Sequence, residues 1–299
     1  MPSQDVVAVL LETPSVTARV ETDISPTWQA AVDRNAALNE ERDTGKPKVL
    51  FPIHPKPYIP VGKELYPYVL DRVAAFGCEP KSVPIGEWTP ELLAKCPLVV
   101  LPETNTQPFY RKSAQEWKPF RKMLSDYVEN GGAILFLVHT AWEVNNYANL
   151  LQAVTPEFGI AKRWETPRAE RHSGFGDPGQ VIGEAVAGSP LTEGVRKVQL
   201  YRMSTLGLKG AAKPVVAIPS DAESCGGACA MAAVQVGKGR VFVSADAMAF
   251  QPFRIGEADN AALLENVMGW LLDKPVTQAM RDEFKANLFL TEKTFGGKR

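Results

Sequence analysis

Six consecutive apolar residues, Ala133 to Val138, stand between a Gly131-Gly132 turn and His139. A run without polar alternation suits a strand covered on both faces, as in the middle of a parallel sheet. Lys48 to Ile53 and Pro97 to Pro102 have the same character, and each stops at a polar residue, His54 and Glu103. Helical spacing appears between these runs. Leu65, Val69, Val73 and Phe76 share one face of a helix expected over 62–76, which Gly77 ends. Trp117, Phe120, Leu124 and Val128 do the same over Ser113–Asn130. A further strand is expected near Lys81 to Ile85, and Thr89-Pro90 reads as a helix N-cap followed by proline at the first helical position. This alternation predicts an α/β fold: a flavodoxin-like, doubly wound, mostly parallel sheet with helices on both faces and right-handed crossovers.

The pattern changes after His139. Asn145 to Val154 is helical, and a new segment opens at Phe158-Gly159-Ile160. Residues 165–190 are rich in Gly, Pro, Arg and His without periodicity, and read as an irregular insertion that is more often functional than idle. Strand-like pieces recur at Val195–Tyr201, Pro214–Pro219, Met231–Val236 and Arg240–Ala245, the last two joined by a tight Gly237-Lys238-Gly239 hairpin turn. They form an antiparallel C-terminal extension of the sheet. Asn260–Leu272 is the closing helix. The division is therefore an N-terminal arm with one helix (Trp28–Arg42) over 1–45, an α/β domain over 46–273, and a C-terminal helix with a basic tail over 274–299. The arm packs on the outside of the fold or against a second subunit, so a homo-oligomer built through the terminal arms is an expected form.

Composition removes some function classes. A formal net charge of -1 gives no reason to expect nucleic acid as a partner. No apolar run approaches the roughly 20 residues needed to span a bilayer. The stretch Val6–Leu11 is too short and lacks the basic flank of an intact signal peptide. A soluble protein is expected, and cytoplasm and periplasm both stay open. Of the four cysteines, Cys78 and Cys96 read as buried thiols, whereas Cys225 and Cys229 bracket Gly-Gly-Ala and either close a small disulfide or remain two thiols. No second Cys or His pair follows at zinc spacing.

The candidate chemistry lies at strand ends. His54, Glu103, His139 and Asp246 each end a predicted strand, and on a parallel sheet they would meet at the carboxyl edge, where open α/β sheets bind their ligands. Asn105 and Glu143 lie on adjoining loops, and His172, with Arg168 and Arg171, belongs to the irregular insertion that could cover that edge. Two imidazoles and two carboxylates suit a divalent metal that activates water, or His139 acting as general base oriented by Glu103 or Asp246. The plainer reading makes Asp246 and Asn260 anchors between the last strand and its loop. No phosphate loop or dinucleotide fingerprint is present, so neither nucleotide nor flavin is supported.

The order of the segments also resembles a known family. Tyr127-Val128-Glu129-Asn130-Gly131-Gly132, Asn149-Leu150-Leu151 with Phe158-Gly159-Ile160, Ser189-Pro190-Leu191-Thr192-Glu193-Gly194-Val195, and Gly237-Lys238-Gly239-Arg240-Val241-Phe242-Val243-Ser244-Ala245-Asp246 are followed by Asp259-Asn260 and Trp270-Leu271-Leu272. Together they resemble the class I glutamine-amidotransferase-like superfamily. The nearer likeness is to its non-amidotransferase branch of gliding-motility transport proteins, intraflagellar-transport subunits and the trimerisation domain of some β-galactosidases. The glutaminase itself needs a nucleophilic Cys just after the central strand, with His and Glu later. Here that junction reads Leu137-Val138-His139-Thr140-Ala141-Trp142-Glu143, so the glutaminase activity is not expected. The resemblance implies a domain that binds a small molecule, sugar or protein partner. The alternative is a hydrolase of a small ester, lactone, amide or glycoside that uses His139 with the nearby carboxylates, with or without a metal.

Overall fold

A computed structural model describes residues 43–53, 66–102, 114–138, 153–163, 165, 167, 180–201, 203–252 and 254–295, the side chains of 114–116 and 289–295 excepted. In chain order the elements are β1 (Lys48–Ile53), α1 (Pro67–Ala75), β2 (Glu79–Pro84), α2 (Pro90–Leu93), β3 (Leu98–Pro102), α3 (Ala114–Glu129) and β4 (Ala133–Leu137). There follow β5 (Ile160–Arg163), β6 (Gln180–Ala185), β7 (Lys197–Tyr201), β8 (Thr205–Leu208), β9 (Lys213–Ala217), β10 (Cys229–Val236), β11 (Gly239–Ser244), α4 (Asn260–Leu271) and α5 (Gln278–Phe295).

The strands form one mixed eleven-stranded sheet in the order β2-β1-β3-β4-β11-β10-β9-β6-β7, with β8 branching from β10 and β5 pairing β8. From β2 to β11 the four pairings are parallel, and the six others are antiparallel. The antiparallel part is thus larger than the apolar pattern suggests. The reading of 165–190 as irregular fails at its end, because residues 180–185 form β6 between β9 and β7.

Alternate residues of the parallel strands sort onto two faces, as a pleat requires. Val49, Phe51, Val100 and Leu135 face a core completed by α1, α4 and α5. Leu50, Val99, Ile134 and Phe136 face a second core completed by α2 and α3. The Thr89 side chain caps α2 by accepting from Leu92 N at 3.2 Å, as its Thr-Pro opening predicts.

The turn from α3 into β4 is built by close approach. The Tyr127 hydroxyl donates to the Cys96 carbonyl at 2.8 Å, which brings its ring over Gly132, where a Cβ would lie 2.1 Å from the ring. Across from it Gly239 opens β11, and a Cβ there would lie 2.0 Å from the Val128 carbonyl oxygen and 2.3 Å from that of Gly132. Both are main-chain atoms that cannot swing away. Gly239→Ala is therefore expected to destabilise the fold by about 1–3 kcal/mol through overpacking, read as a lower denaturation midpoint. An unchanged midpoint would show that the two segments separate at little cost.

A buried ionic cluster fastens α5 to α1 and α4. Arg72 of α1, fully buried, pairs with Asp71 and donates to Glu265 of α4 at 3.0 Å. From α5, Met280 offers its carbonyl at 3.3 Å, Phe284 lays its ring 4.0 Å under the guanidinium, and Asn287 donates to Asp71 at 3.2 Å.

Candidate functional site

The sheet register sets the geometry of the carboxyl edge. Val49 pairs Leu98 and Leu50 pairs Val99, which levels Ile53 with Pro102. Pro102 pairs Leu137, and Leu137 pairs Ser244. The ends of β1, β3, β4 and β11 therefore stand in one row. His54 and Glu103 are next in sequence to two of these ends, while His139 and Asp246 come two residues after the others. Of the four, His54, Glu103 and His139 lie outside the described residues, as do Asn105, Glu143, His172, Arg168 and Arg171.

Asp246 is described, and it is wholly buried. One carboxylate oxygen accepts from Tyr201 N at 2.6 Å and the other from Met248 N at 2.9 Å, so the side chain caps the short helical turn 247–250. Ser244 Oγ donates to the Asp246 carbonyl at 2.7 Å. Burial pushes the carboxyl up to about 7, against the pull of the N–H groups of Tyr201, Met248 and Ala249 and the charge of Arg254.

The bond to Tyr201 belongs to a larger device. β7 is the last strand of the sheet, and its outer N–H groups would be open to pairing by another chain. Side chains occupy them instead. Asp259 accepts from Arg196 N at 2.8 Å and Lys197 N at 3.0 Å. Asn260 accepts from Gln199 N at 2.8 Å and donates back to Gln199 O at 3.1 Å, with its amide also reaching Ala249 O at 3.0 Å and Arg254 O at 3.1 Å. Asp246 then takes Tyr201 N. Three side chains stand where a neighbouring strand would, and they bind the edge to the turn 247–250 and the start of α4. At the opposite edge β2 carries Pro80 and Pro84, which have no N–H to offer.

Among the described residues, no group of three or more His, Cys, Asp or Glu is placed to hold a metal ion. Cys225 and Cys229 are both free thiols, and burial pushes the Cys229 thiol up to about 12. Two features missed by local pattern are the Arg72 cluster and a cavity of about 520 Å³ at the amino ends of β1 to β4, lined by Pro47, Cys78, Cys96, Met123, Tyr127 and Leu272 among others. The first left a trace in the sequence, a charged Asp71-Arg72 pair set between Leu70 and Val73 on an otherwise apolar helix.

With this geometry the chain can be set beside known proteins. No protein-family model matches it, and no curated protein does. Solved structures share its fold. The mmIFT52 N-terminal domain superposes with a TM-score of 0.61 at 17% identity, covering 77% of this chain and 99% of that one. A cytoplasmic protein of Salmonella typhimurium LT2 gives 0.52 at 16% identity, over 75% of this chain and 99% of that one. A β-galactosidase from Rahnella sp. R3 gives 0.48 at 14% identity, over 76% of this chain but 31% of its own. The first is of a kind named by the sequence resemblance. No helix among the described residues is long and apolar enough to cross a membrane.

Proposed function

We propose that this chain is a non-catalytic binding domain of the amidotransferase-like, flavodoxin-like type, which holds a protein partner at the carboxyl edge of its parallel strands. The engagement of Asp246 carries this reading. A catalytic or metal-binding carboxylate turns an oxygen toward substrate, metal or water. Both oxygens of Asp246 instead accept main-chain N–H groups at zero exposure. The residue braces the edge and leaves the remaining candidates, His54, Glu103 and His139, as recognition groups beside Asn105 and Glu143. The mmIFT52 neighbour, itself named as an N-terminal domain, supports the reading in kind.

One observation favours the hydrolase reading. The ends of β1, β3 and β4 are level, and in the sequence His54, Glu103 and His139 follow those ends within one or two residues. The two readings part on purified protein. Divalent-metal content and turnover of ester, lactone, amide and glycoside substrates are measured for the wild type and His139→Ala. A binding domain gives neither near-stoichiometric metal nor turnover. Metal or turnover present in the wild type and lost in the variant would overturn it. A small-molecule or sugar ligand in place of a protein would show as a thermal shift on adding that ligand, abolished by joint replacement of His54 and His139 with alanine.

A further inference from the structure

The amino edge of the sheet, opposite the candidate site, holds the cavity of about 520 Å³, within the roughly 300–1,000 Å³ usual for a small-molecule site. Its floor is apolar: Cys78, Cys96, Tyr127 and Leu272 are buried there, and Met123 is half-buried. Burial raises both thiols, so they stay protonated and present neutral surface. The polar groups of the floor are already engaged. The Tyr127 hydroxyl donates to the Cys96 carbonyl and accepts from Ala133 N at 3.2 Å. Pro47, Pro90 and Pro97 have no N–H, and the N–H groups of Cys78, Cys96 and Gly132 bond the carbonyls of Val73, Leu93 and Tyr127. The N–H groups that line the cavity at the exits of α2, α3 and α4 are bonded within their own turns.

We infer that this cavity binds a small amphipathic organic anion, an apolar chain or ring carrying one carboxylate, with its apolar body on the floor and its carboxylate toward Lys95 and Lys274 at the mouth. Two features of the lining select this class. A floor whose donors are all spent meets no polar group of a ligand, so the part that enters must be apolar. The rim, by contrast, is positive. Lys95 and Lys274 are exposed there, while the acid of the lining, Asp126, is held by Lys122 through both carboxylate oxygens at 2.9 and 2.7 Å. Lys274 gives one N–H to the Phe76 carbonyl, and its ammonium carries two more donors. Exposed ammonium groups add little affinity by themselves, so burial of the apolar body supplies most of the binding and the two lysines choose the sign of the charge. The inference concerns the amino edge and stands or falls apart from the binding reading of the carboxyl edge.

The test titrates the full chain by calorimetry with decanoate, 2-naphthoate and decyltrimethylammonium, a cation with the same chain as the first acid. The expected result is a single decanoate bound per chain, about tenfold tighter than the cation. Lys95→Glu with Lys274→Glu should close or reverse that gap. If the double change lowers the thermal midpoint because Lys274 leaves Phe76, Lys95→Glu alone should narrow it. Ala94→Trp adds bulk at an exposed position of the lining and keeps every charge, so it should weaken both acids about tenfold or more. Absence of binding by decanoate and 2-naphthoate alike would overturn the proposal. Equal binding of decanoate and the cation, or undiminished binding to a folded Ala94→Trp protein, would overturn it as well.

Discussion

Arg72→Ala is expected to lower the unfolding free energy by about 3–5 kcal/mol, the usual cost of removing one member of a buried ion pair. The guanidinium is fully buried and lies between the Asp71 and Glu265 carboxylates and over the Phe284 ring. Without it two carboxylates share an apolar pocket beside Asn287 and, at 3.7 Å, Arg281. Burial already raises Glu265 while Arg72 and Arg281 pull it down, so loss of Arg72 pushes it further toward the neutral form. Urea denaturation at neutral pH measures the loss. Because the cluster joins α1 and α4 to α5, amides of 278–288 should also exchange faster before global unfolding. Arg72→Met with Glu265→Met should cost less than Arg72→Ala alone, since the double change leaves fewer buried charges unpaired. A loss below about 1 kcal/mol for Arg72→Ala would mean that water reaches the cluster and screens it.

That cluster illustrates which features a sequence exposes. β1, β3, β4 and α3 are legible because each writes its environment into a local run: unbroken apolar residues for a doubly covered strand, and Trp117, Leu124 and Val128 at helical spacing for a covered helix face. β6 is not, because Gln180-Val181-Ile182-Gly183-Glu184-Ala185 follows a Gly- and Pro-rich stretch and its ladder partners in β7 and β9 come later in the chain. β8 is four residues, too short for any period to declare itself. Polar anchors are hardest to read. Asp246 and Asn260 reach Tyr201 and Gln199 across 45 and 61 residues, and no local pattern distinguishes such a strut from a catalytic carboxylate. The row of strand ends follows from the parallel pattern, whereas what Asp246 does there follows only from its two N–H partners.

Asp246→Ala is expected to cost about 2–4 kcal/mol, because it strands the N–H groups of Tyr201 and Met248 at roughly 1–3 kcal/mol for each buried donor left unpaired. Its pH dependence is the sharper signature. Burial lifts the folded carboxyl to about 7, above the ordinary aspartate value of 3.8 that stands for the unfolded chain. Between those values the folded state binds the proton that the unfolded state has released, so the stability this group contributes is full below about pH 4 and is lost as pH rises toward 7. The slope approaches about 1.4 kcal/mol per pH unit in the middle of that window. The alanine variant lacks the titration. Denaturation of both proteins at pH 5 and pH 8 should therefore show the stability gap between them shrinking at the higher pH. Parallel curves would mean that the N–H groups of Tyr201, Met248 and Ala249 and the charge of Arg254 offset the burial, holding the carboxylate ionised throughout. In that event the strand-end carboxylate would still close the β7 edge, but as a permanent charge, and the carboxyl edge of the sheet would carry one more negative charge toward whatever binds there.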